Sequence, residues 1–256
     1  MLQYVHVHCG QCAWEIMGEN DVVIEAFTEL AAHYGDAMER ELRLLWGLGY
    51  TEFIDHVLRV AASKDGDAVL DVATGTARIP LALVDQAPVA RSAGLDITPA
   101  MLKAGQADIR ARGLESRIGL VCASATNMPF DDGTFDLVTC ALAMHHMSPP
   151  QVLLETFRVL KEGGQLVLAD VGAPPEWRSP AGMALIRIAI RLYGLTHRGA
   201  RAEAELTAVP NIRTTSEWLE MLSGLGFRTI EIVAQVPGRR PWFPRAIFIR
   251  AIKGSA

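Results

Sequence analysis

Short apolar runs alternate with helical stretches through the middle of the chain. Five of these runs are nearly continuously apolar, as expected of strands that are buried on both faces of a sheet. Two further strand-like runs follow near the C-terminus, and all seven lie at 68–72, 93–97, 118–123, 135–141, 165–171, 228–236 and 246–252. Strands separated by single helices require right-handed crossovers. The pattern therefore predicts an α/β fold with a doubly wound, mostly parallel, seven-stranded sheet.

Helical patterns flank this sheet. Residues 22–62 have apolar faces at helical spacing, and we expect residues 1–62 to form a helical cap on an α/β domain of residues 63–256. Within the domain, Pro99 with Thr98 as N-cap predicts one helix start, and a glycine pair at 163–164 predicts a helix stop. An insertion at 173–213 carries a helix at about 181–195. This helix is apolar around much of its girth, and we expect it to cover the strand ends as a lid over a hydrophobic small molecule.

Composition and charge narrow the functional classes. Half of the residues are hydrophobic and the net charge is −5, which disfavours a dedicated nucleic-acid binder. The first 171 residues carry 12 basic and 23 acidic side chains, whereas the remaining residues carry 12 basic and 6 acidic ones. We interpret this as an acidic and a basic solvated face on different parts of the surface. The first twenty residues lack a signal-peptide pattern, and Arg187 and Arg191 interrupt the longest apolar stretch. We expect a soluble cytoplasmic protein without a membrane span.

A cysteine pair lies near the N-terminus. Cys9 and Cys12 form a CxxC close to His6 and His8, but a single pair without a matching second pair is a weak zinc pattern. We interpret this segment as a frayed terminus.

The loop at 71–77 follows the first core strand and precedes a helix. Its sequence, DVATGTA, consists mostly of small residues that let a ligand approach the backbone, and free N–H groups at the helix start favour an anion. Ala73 and Ala77 stand where a nucleotide-binding loop prefers glycine, and only Gly75 is one. The loop therefore suits a small anion such as an amino-acid carboxylate better than a pyrophosphate. Asp71 would pair with a positively charged amino group.

Two more strand ends point to an adenosine ligand. Asp96 ends the second strand, where its two carboxylate oxygens can accept both ribose hydroxyls. Ser124 and Ala125 follow the third strand, where a side-chain oxygen and a backbone N–H can bind the adenine edge. In doubly wound sheets, ligands bind at the carboxyl ends of the strands, which is where all of these residues lie.

Together these stretches resemble the class I S-adenosylmethionine-dependent methyltransferases. The resemblance is closest to the branch that includes the ubiquinone and menaquinone biosynthesis C-methyltransferases and many small-molecule methyltransferases. It rests on VLDVATGTA at 69–77, GLDITPAM at 94–101, residues 125–130 with 135–136, and LKEGGQLVL at 160–168. It covers roughly residues 27–253 apart from the insertion.

The resemblance implies S-adenosylmethionine as the methyl donor and suggests which residues bind it. They are Asp71, Ala73, Thr74 and Gly75 for the methionine end, Asp96 for the ribose, Ile97 and Met101 beside the adenine, Ser124 and Ala125 at its edge, and in addition Tyr34 and Ala141. The family usually has more glycine in the first loop and an acid in place of Ser124. We therefore expect weaker cofactor binding than is usual for the family.

Two histidines follow the fourth strand, near the expected position of the methyl group. Methyl transfer needs alignment above all, and it needs a base only where the acceptor must lose a proton. His145 or His146 could be that base at neutral pH, or could merely fix the loop. Metal-binding relatives from quinone pathways carry an acid beside this histidine. Because His145 stands there instead, no metal is predicted.

These features predict a methyltransferase that methylates a carbon or oxygen of a hydrophobic small molecule. The turn after the fourth strand lacks the Asn/Asp-Pro-Pro-aromatic pattern of enzymes that methylate nucleobase amino groups. Three alternatives stay open: a cyclase or isomerase on the same fold, a nicotinamide-dependent oxidoreductase, which the glycine-poor loop disfavours, and a non-catalytic cofactor-binding subunit. The sequence makes no prediction of the oligomeric state.

Overall fold

The structure is a computed structural model that describes residues 21–86, 91–196, 199–240 and 242–254. The expectations about Cys9, Cys12, His6 and His8 concern residues outside these ranges.

A single twisted sheet organises the molecule. Its strands are β1 Ala68–Val72, β2 Arg91–Asp96, β3 Ile118–Cys122, β4 Phe135–Ala141, β5 Leu160–Gly172, β6 Phe227–Val236 and β7 Arg245–Lys253. The strand order is β3-β2-β1-β4-β5-β7-β6. The first five strands pair in parallel, and β7 is antiparallel to both β5 and β6. This confirms the predicted fold class and places the reversal of strand order between β1 and β4.

Helices cover both faces of the sheet. They are α1 Asp21–Leu30, α2 Tyr34–Trp46, α3 Tyr50–Ala61, α4 Arg78–Gln86, α5 Pro99–Ala111, α6 Pro149–Val159, α7 Pro180–Thr196, α8 Ala200–Ala208 and α9 Thr215–Gly224. In the described ranges no helix has both the length and the apolarity that crossing a bilayer would require.

Two hydrophobic clusters form the core, one on each face of the sheet. Successive residues of a strand point to opposite faces, so Val69 joins the cluster containing Phe53 of α3, whereas Leu70 joins the cluster containing Trp218 of α9. Both β1 residues are fully buried. This burial on both faces explains the continuous apolar runs that predicted the strands.

Of two local predictions, one is confirmed and one was wrong. Helix α5 starts at Pro99 with Thr98 at the N-cap, as predicted; the Thr98 side chain makes no capping hydrogen bond, and its amide donates to Asp96 Oδ1 at 2.8 Å. The glycine pair does not end α6, which already stops at Val159. Gly163 and Gly164 instead lie within β5, where a Cβ on Gly164 would come within 2.8 Å of a backbone oxygen.

The insertion covers the strand ends with a different helix from the expected one. The described side chains of α7 are mostly exposed, with Leu185 at 67% and Ile188 at 54%. It is α8 that packs against α1, beside the turn that follows β4. The division into a cap of residues 1–62, a domain of residues 63–256 and a lid at 173–213 stays a prediction.

Candidate active site

One cavity of about 590 Å³ opens at the carboxyl ends of β1 to β4. The predicted site residues that line it are Tyr34, Ala73, Gly75, Asp96, Ile97, Met101, Ser124, Ala125, Ala141, His145 and His146. Asp71 and Thr74 do not line it, because their side chains are buried. Tertiary structure thus brings together residues from five separate segments of the chain.

The loop after β1 is held in an unusual backbone conformation. Ala73, Gly75 and Ala77 all have positive φ angles, of 55°, 55° and 58°. For a residue with a Cβ, this conformation costs about 1–2 kcal/mol. The loop is tied to β2 by two hydrogen bonds, from the Thr74 amide to the Leu95 carbonyl at 2.9 Å and from the Gly75 amide to Asp96 Oδ2 at 2.8 Å. These bonds hold the strained loop against the cavity.

Asp96 has two roles, of which the sequence indicated one. Its two carboxylate oxygens accept from the amides of Gly75 and Thr98, so it fixes both loops that flank the cofactor end of the cavity. A carboxylate has about four acceptor sites, which leaves capacity for ribose hydroxyls. Burial raises the pKa of Asp96, although the two backbone hydrogen bonds act in the opposite direction.

Asp71 is a buried acid directly beneath the loop. It is 2% exposed, and Thr139 Oγ1 donates a hydrogen bond of 2.6 Å to its Oδ1. Burial raises its pKa from 3.8 to about 7, with the Thr139 hydrogen bond opposing the shift and Asp96 adding to it. The loss of hydration of this carboxylate makes it a favourable neighbour for a positive charge.

The part of the cavity beside Ser124, where the resemblance places the adenine, is mostly apolar. Ile97, Met101, Ala123 and Ala125 line it, and the polar groups come from Ser124 and Thr126. The hydroxyls of these last two lie 2.8 Å apart. The family usually has an acid in place of Ser124. Among the described residues that line this part of the cavity, no other charged side chain takes its place.

The two histidines form a short turn, Met144–His146, at the other end of the cavity. His145 Nδ1 donates to Asp170 Oδ1 at 2.6 Å, and the His145 amide donates to Asp170 Oδ2 at 3.1 Å. Burial lowers the pKa of His145, but the charge and hydrogen bond of Asp170 outweigh it, so the pKa is raised. The His146 pKa is well below its usual range because of burial and the adjacent His145. Their ring centroids lie 4.2 Å apart.

Several residues around the histidine turn were missed by the sequence analysis. Asp170 lies two residues before the end of β5, so the strand-end rule could have identified it. Glu205 of α8, whose Oε1 lies 3.9 Å from His146 Nε2, carried no recognisable signal. Thr207, Ala208, Asn211 and Arg213 line the cavity, whereas the aromatic residues Trp177, Trp242 and Phe243 do not.

The cofactor end fits an adenosine compound with a positively charged sulfur. Two carboxylates, Asp71 and Asp96, lie at or beneath this end. A Cβ at position 75 would lie 3.0 Å from Met101 Cε. Because Gly75 has no side chain, its backbone stays accessible to a ligand. These features match the donor set that the resemblance implies.

Comparison with known proteins agrees with this geometry. The model of the ubiE/COQ5 methyltransferase family matches residues 16–178. A demethylmenaquinone methyltransferase from Thermus thermophilus is 36% identical over 151 residues, which are 59% of this chain and 66% of that protein. The ubiquinone/menaquinone biosynthesis C-methyltransferase UbiE of Shewanella frigidimarina is 26% identical over 91% of this chain and 93% of its own length.

A solved structure shows the same fold. Phosphoethanolamine N-methyltransferase 2 of Haemonchus contortus, in complex with S-adenosyl-L-methionine, aligns with a TM-score of 0.65 over 90% of this chain and 60% of that one, at 13% identity. Together with the family match, this confirms the predicted class and methyl donor. The chain belongs to the ubiE/COQ5 methyltransferase family and is an S-adenosylmethionine-dependent methyltransferase.

Proposed function

We propose that this enzyme methylates a hydrophobic small molecule that bears an aromatic or enolic hydroxyl group. The observation that carries the proposal is the shape of the single 590 Å³ cavity, which joins the cofactor residues around Gly75 and Asp96 to the histidine turn. Beyond that turn its wall includes Phe27, Met147 and Ala208, which are apolar. An apolar wall beside a few convergent polar groups suits a hydrophobic ligand.

The cofactor end of the cavity orients the donor. When it is bound, S-adenosylmethionine supplies an electrophilic methyl group on a positively charged sulfur. Asp96 would hold the ribose hydroxyls, Gly75 and Ala73 would bring the backbone close to the methionine end, and Asp71 would add negative potential from below. The chain then contributes alignment and exclusion of water, which are the main requirements of a displacement at an activated methyl group.

The histidine turn is the acceptor end. A hydroxyl group, or a ring carbon made nucleophilic by one, must lose a proton for methyl transfer. The groups available here are the imidazoles of His145 and His146, with Asp170 holding His145 in place, and the carboxylate of Glu205. We propose that His145 and His146 position the acceptor oxygen at this end of the cavity.

The names of the relatives suggest a substrate class. The Thermus protein is named for demethylmenaquinone and the Shewanella protein for ubiquinone and menaquinone biosynthesis. We propose that the acceptor here is likewise a reduced ring system, a quinol or polyphenol, with an apolar substituent. The apolar wall formed by Phe27 and Met147 would receive that substituent.

Methyl-labelled S-adenosylmethionine tests the proposal. The full chain is incubated with a panel of alkylated naphthoquinols, phenols and, for contrast, apolar alcohols without a ring. We expect label to pass into the organic extract with the quinols, together with one equivalent of S-adenosylhomocysteine and a product heavier by one CH₂. Consumption of an acceptor without this gain would favour a cyclase or isomerase. Cofactor binding without turnover of any acceptor would favour a non-catalytic subunit.

A further inference from the structure

Three potential metal ligands converge at the histidine turn, and two of them, His145 and His146, line the cavity. One ligand atom each from His145, His146 and Glu205 lies within 4.8 Å of the other two. The histidines come from the turn after β4, and Glu205 comes from α8, 59 positions later in the chain. Sequence reasoning predicted no metal because no acid stands beside His146. The structure supplies the acid from a distant helix.

The hydrogen bonds of His145 suit a metal ligand. Its Nδ1 is bound to the fully buried carboxylate of Asp170 at 2.6 Å, which leaves Nε2 as the ring atom available to the cavity. Histidines that bind metals almost always donate their other ring nitrogen to a carboxylate, a backbone carbonyl or water, which fixes the ring and raises its basicity. The second carboxylate oxygen of Asp170, Oδ2, accepts a hydrogen bond from the His145 backbone amide. The two bonds together hold the His145 ring in one orientation.

The charge around the site favours a cation. The ionisable groups that act on the two histidines are the carboxylates of Asp170, Glu205 and Glu41 and one guanidinium, that of Arg201. Arg201 is itself paired with Glu41. A divalent ion bound here would compensate the excess of carboxylates around the two buried histidines.

We propose that His145, His146 and Glu205 bind one divalent first-row transition metal ion. Two imidazoles and one carboxylate form the ligand set that zinc, cobalt, nickel and ferrous iron accept, whereas magnesium and calcium prefer oxygen ligands alone. A metal–nitrogen distance of about 2.1 Å requires neighbouring ligand atoms to lie about 3.4 Å apart. The ligand atoms must therefore approach by about 1 Å, and Glu205, whose side chain is 32% exposed, can rotate toward the histidines.

Three protein ligands leave coordination positions open toward the cavity. If the proposed function is right, these positions receive the acceptor oxygen, and this role of the metal rests on that function. The metal site itself does not, because its existence is measured by binding. If either the metal site or the proposed function is refuted, the other can still be tested.

Cobalt binding tests the site directly. The full, tag-free chain carries Cys9→Ser and Cys12→Ser in all samples, so that the N-terminal cysteines contribute no thiolate ligand. After chelator treatment it is titrated with Co²⁺ and followed by visible absorption and calorimetry. We expect one equivalent to bind with the absorption of a four- or five-coordinate nitrogen–oxygen site. Zn²⁺ should displace it.

Matched variants locate the site. Glu205→Gln and His146→Gln should each weaken Co²⁺ binding at least tenfold, and Asp170→Asn, which removes the partner of His145, should weaken it by roughly 10–100-fold. Glu203→Gln, an exposed acid two positions away on the same helix, should bind as the parent does. S-adenosylhomocysteine affinity, measured on every variant, verifies that the fold is intact.

The proposal is overturned if no stoichiometric Co²⁺ binds, or if Glu205→Gln and His146→Gln bind it as tightly as Glu203→Gln. Labelled methyl transfer by chelated protein separates the two inferences. Full transfer without metal binding would refute the metal site and leave the proposed function standing. Stoichiometric metal binding without transfer to any acceptor would support the site and count against the proposed function.

Discussion

Asp71→Asn is a substitution for which the structure predicts opposite effects on stability and on cofactor binding. The Asp71 carboxyl is 2% exposed, and burial raises its pKa from 3.8 to about 7 despite the 2.6 Å hydrogen bond from Thr139. The neighbouring charge of Asp96 adds to the shift. The protein thus keeps a carboxylate at physiological pH in a place where its ionisation is unfavourable.

The pKa difference gives the size of the stability effect. The unfolded carboxyl titrates near 3.8, so between about pH 4 and pH 7 the folded protein binds more protons than the unfolded chain, and stability falls as pH rises. At about 1.4 kcal/mol per pKa unit, the total is about 4 kcal/mol above pH 7. An asparagine avoids this cost, but its NH₂ group must replace a carboxylate oxygen beside the Thr74 hydroxyl, and an imperfect hydrogen bond there costs about 1–3 kcal/mol. We expect a net gain of about 2 kcal/mol at pH 8, or roughly 4–8 °C in Tm.

Cofactor binding should change in the other direction. If Asp71 faces the positively charged end of the cofactor, removing its charge should weaken S-adenosylhomocysteine binding by about 1–3 kcal/mol, which is roughly ten- to hundredfold. Binding by the parent protein should also weaken below pH 7, because the carboxyl becomes protonated, and be roughly tenfold weaker at pH 6 than at pH 8. The asparagine variant should lose this pH dependence.

Urea unfolding of the cofactor-free protein at pH 5 and pH 8 measures the first effect, and calorimetric titration at pH 6 and pH 8 measures the second. Asp131→Asn, at an exposed position after β3, is the control and should change neither. A variant that is no more stable than the parent at pH 8, or that has the same advantage at pH 5, would refute the argument from burial. Unchanged cofactor affinity would remove Asp71 from the binding site.

Two further substitutions test the loop and the insertion. Gly75→Ala places a Cβ 3.0 Å from Met101 Cε at a φ of +55°, so we expect a stability loss of about 1–2 kcal/mol and at least tenfold weaker S-adenosylhomocysteine binding by calorimetry. Gly113→Ala, at a φ of +64° in open space, should lose stability alone, and equal loss of binding in both would contradict the steric argument. Arg178 holds the pKa of Glu217 at about 2, so this pair stabilises the protein above about pH 4.5 and progressively less as pH falls toward 2. The destabilisation by Arg178→Gln, measured by urea unfolding, should therefore shrink between pH 7 and pH 3, and a constant difference would refute the ion-pair assignment.

The strands and the cofactor loops could be predicted because their signals are local. β1 and β4 were predicted with the bounds that the structure has, since continuous burial on both faces demands an uninterrupted apolar run. Gly75 lies three residues after β1 and Asp96 ends β2, and parallel strands bring their carboxyl ends to one edge, so both predicted cofactor residues line the same cavity. Predicting the strands therefore also located the predicted cofactor residues at their carboxyl ends.

The acceptor end depended on contacts between distant segments. His145 was identified from the sequence, but its partner Asp170 is 25 positions away, and Glu205 lies on a helix whose own pattern indicates nothing about the cavity. The insertion was expected to cover the strand ends through its most apolar helix, yet α7 is largely exposed and the shorter α8 packs against α1. An apolar helix is expected to pack against another element, but its sequence does not identify which element that is.

The amino-acid sequence by itself determined the α/β class, the seven strands and the family, and it predicted which loops would bind the methyl donor. These follow from hydrophobic periodicity and from short motifs, in which the interacting residues are neighbours along the chain. Only the tertiary structure decided that Asp71 is buried beneath its loop and that Glu205 meets the histidine pair. Burial and charge pairing depend on distances through space, and residues far apart in sequence leave no local pattern that records them.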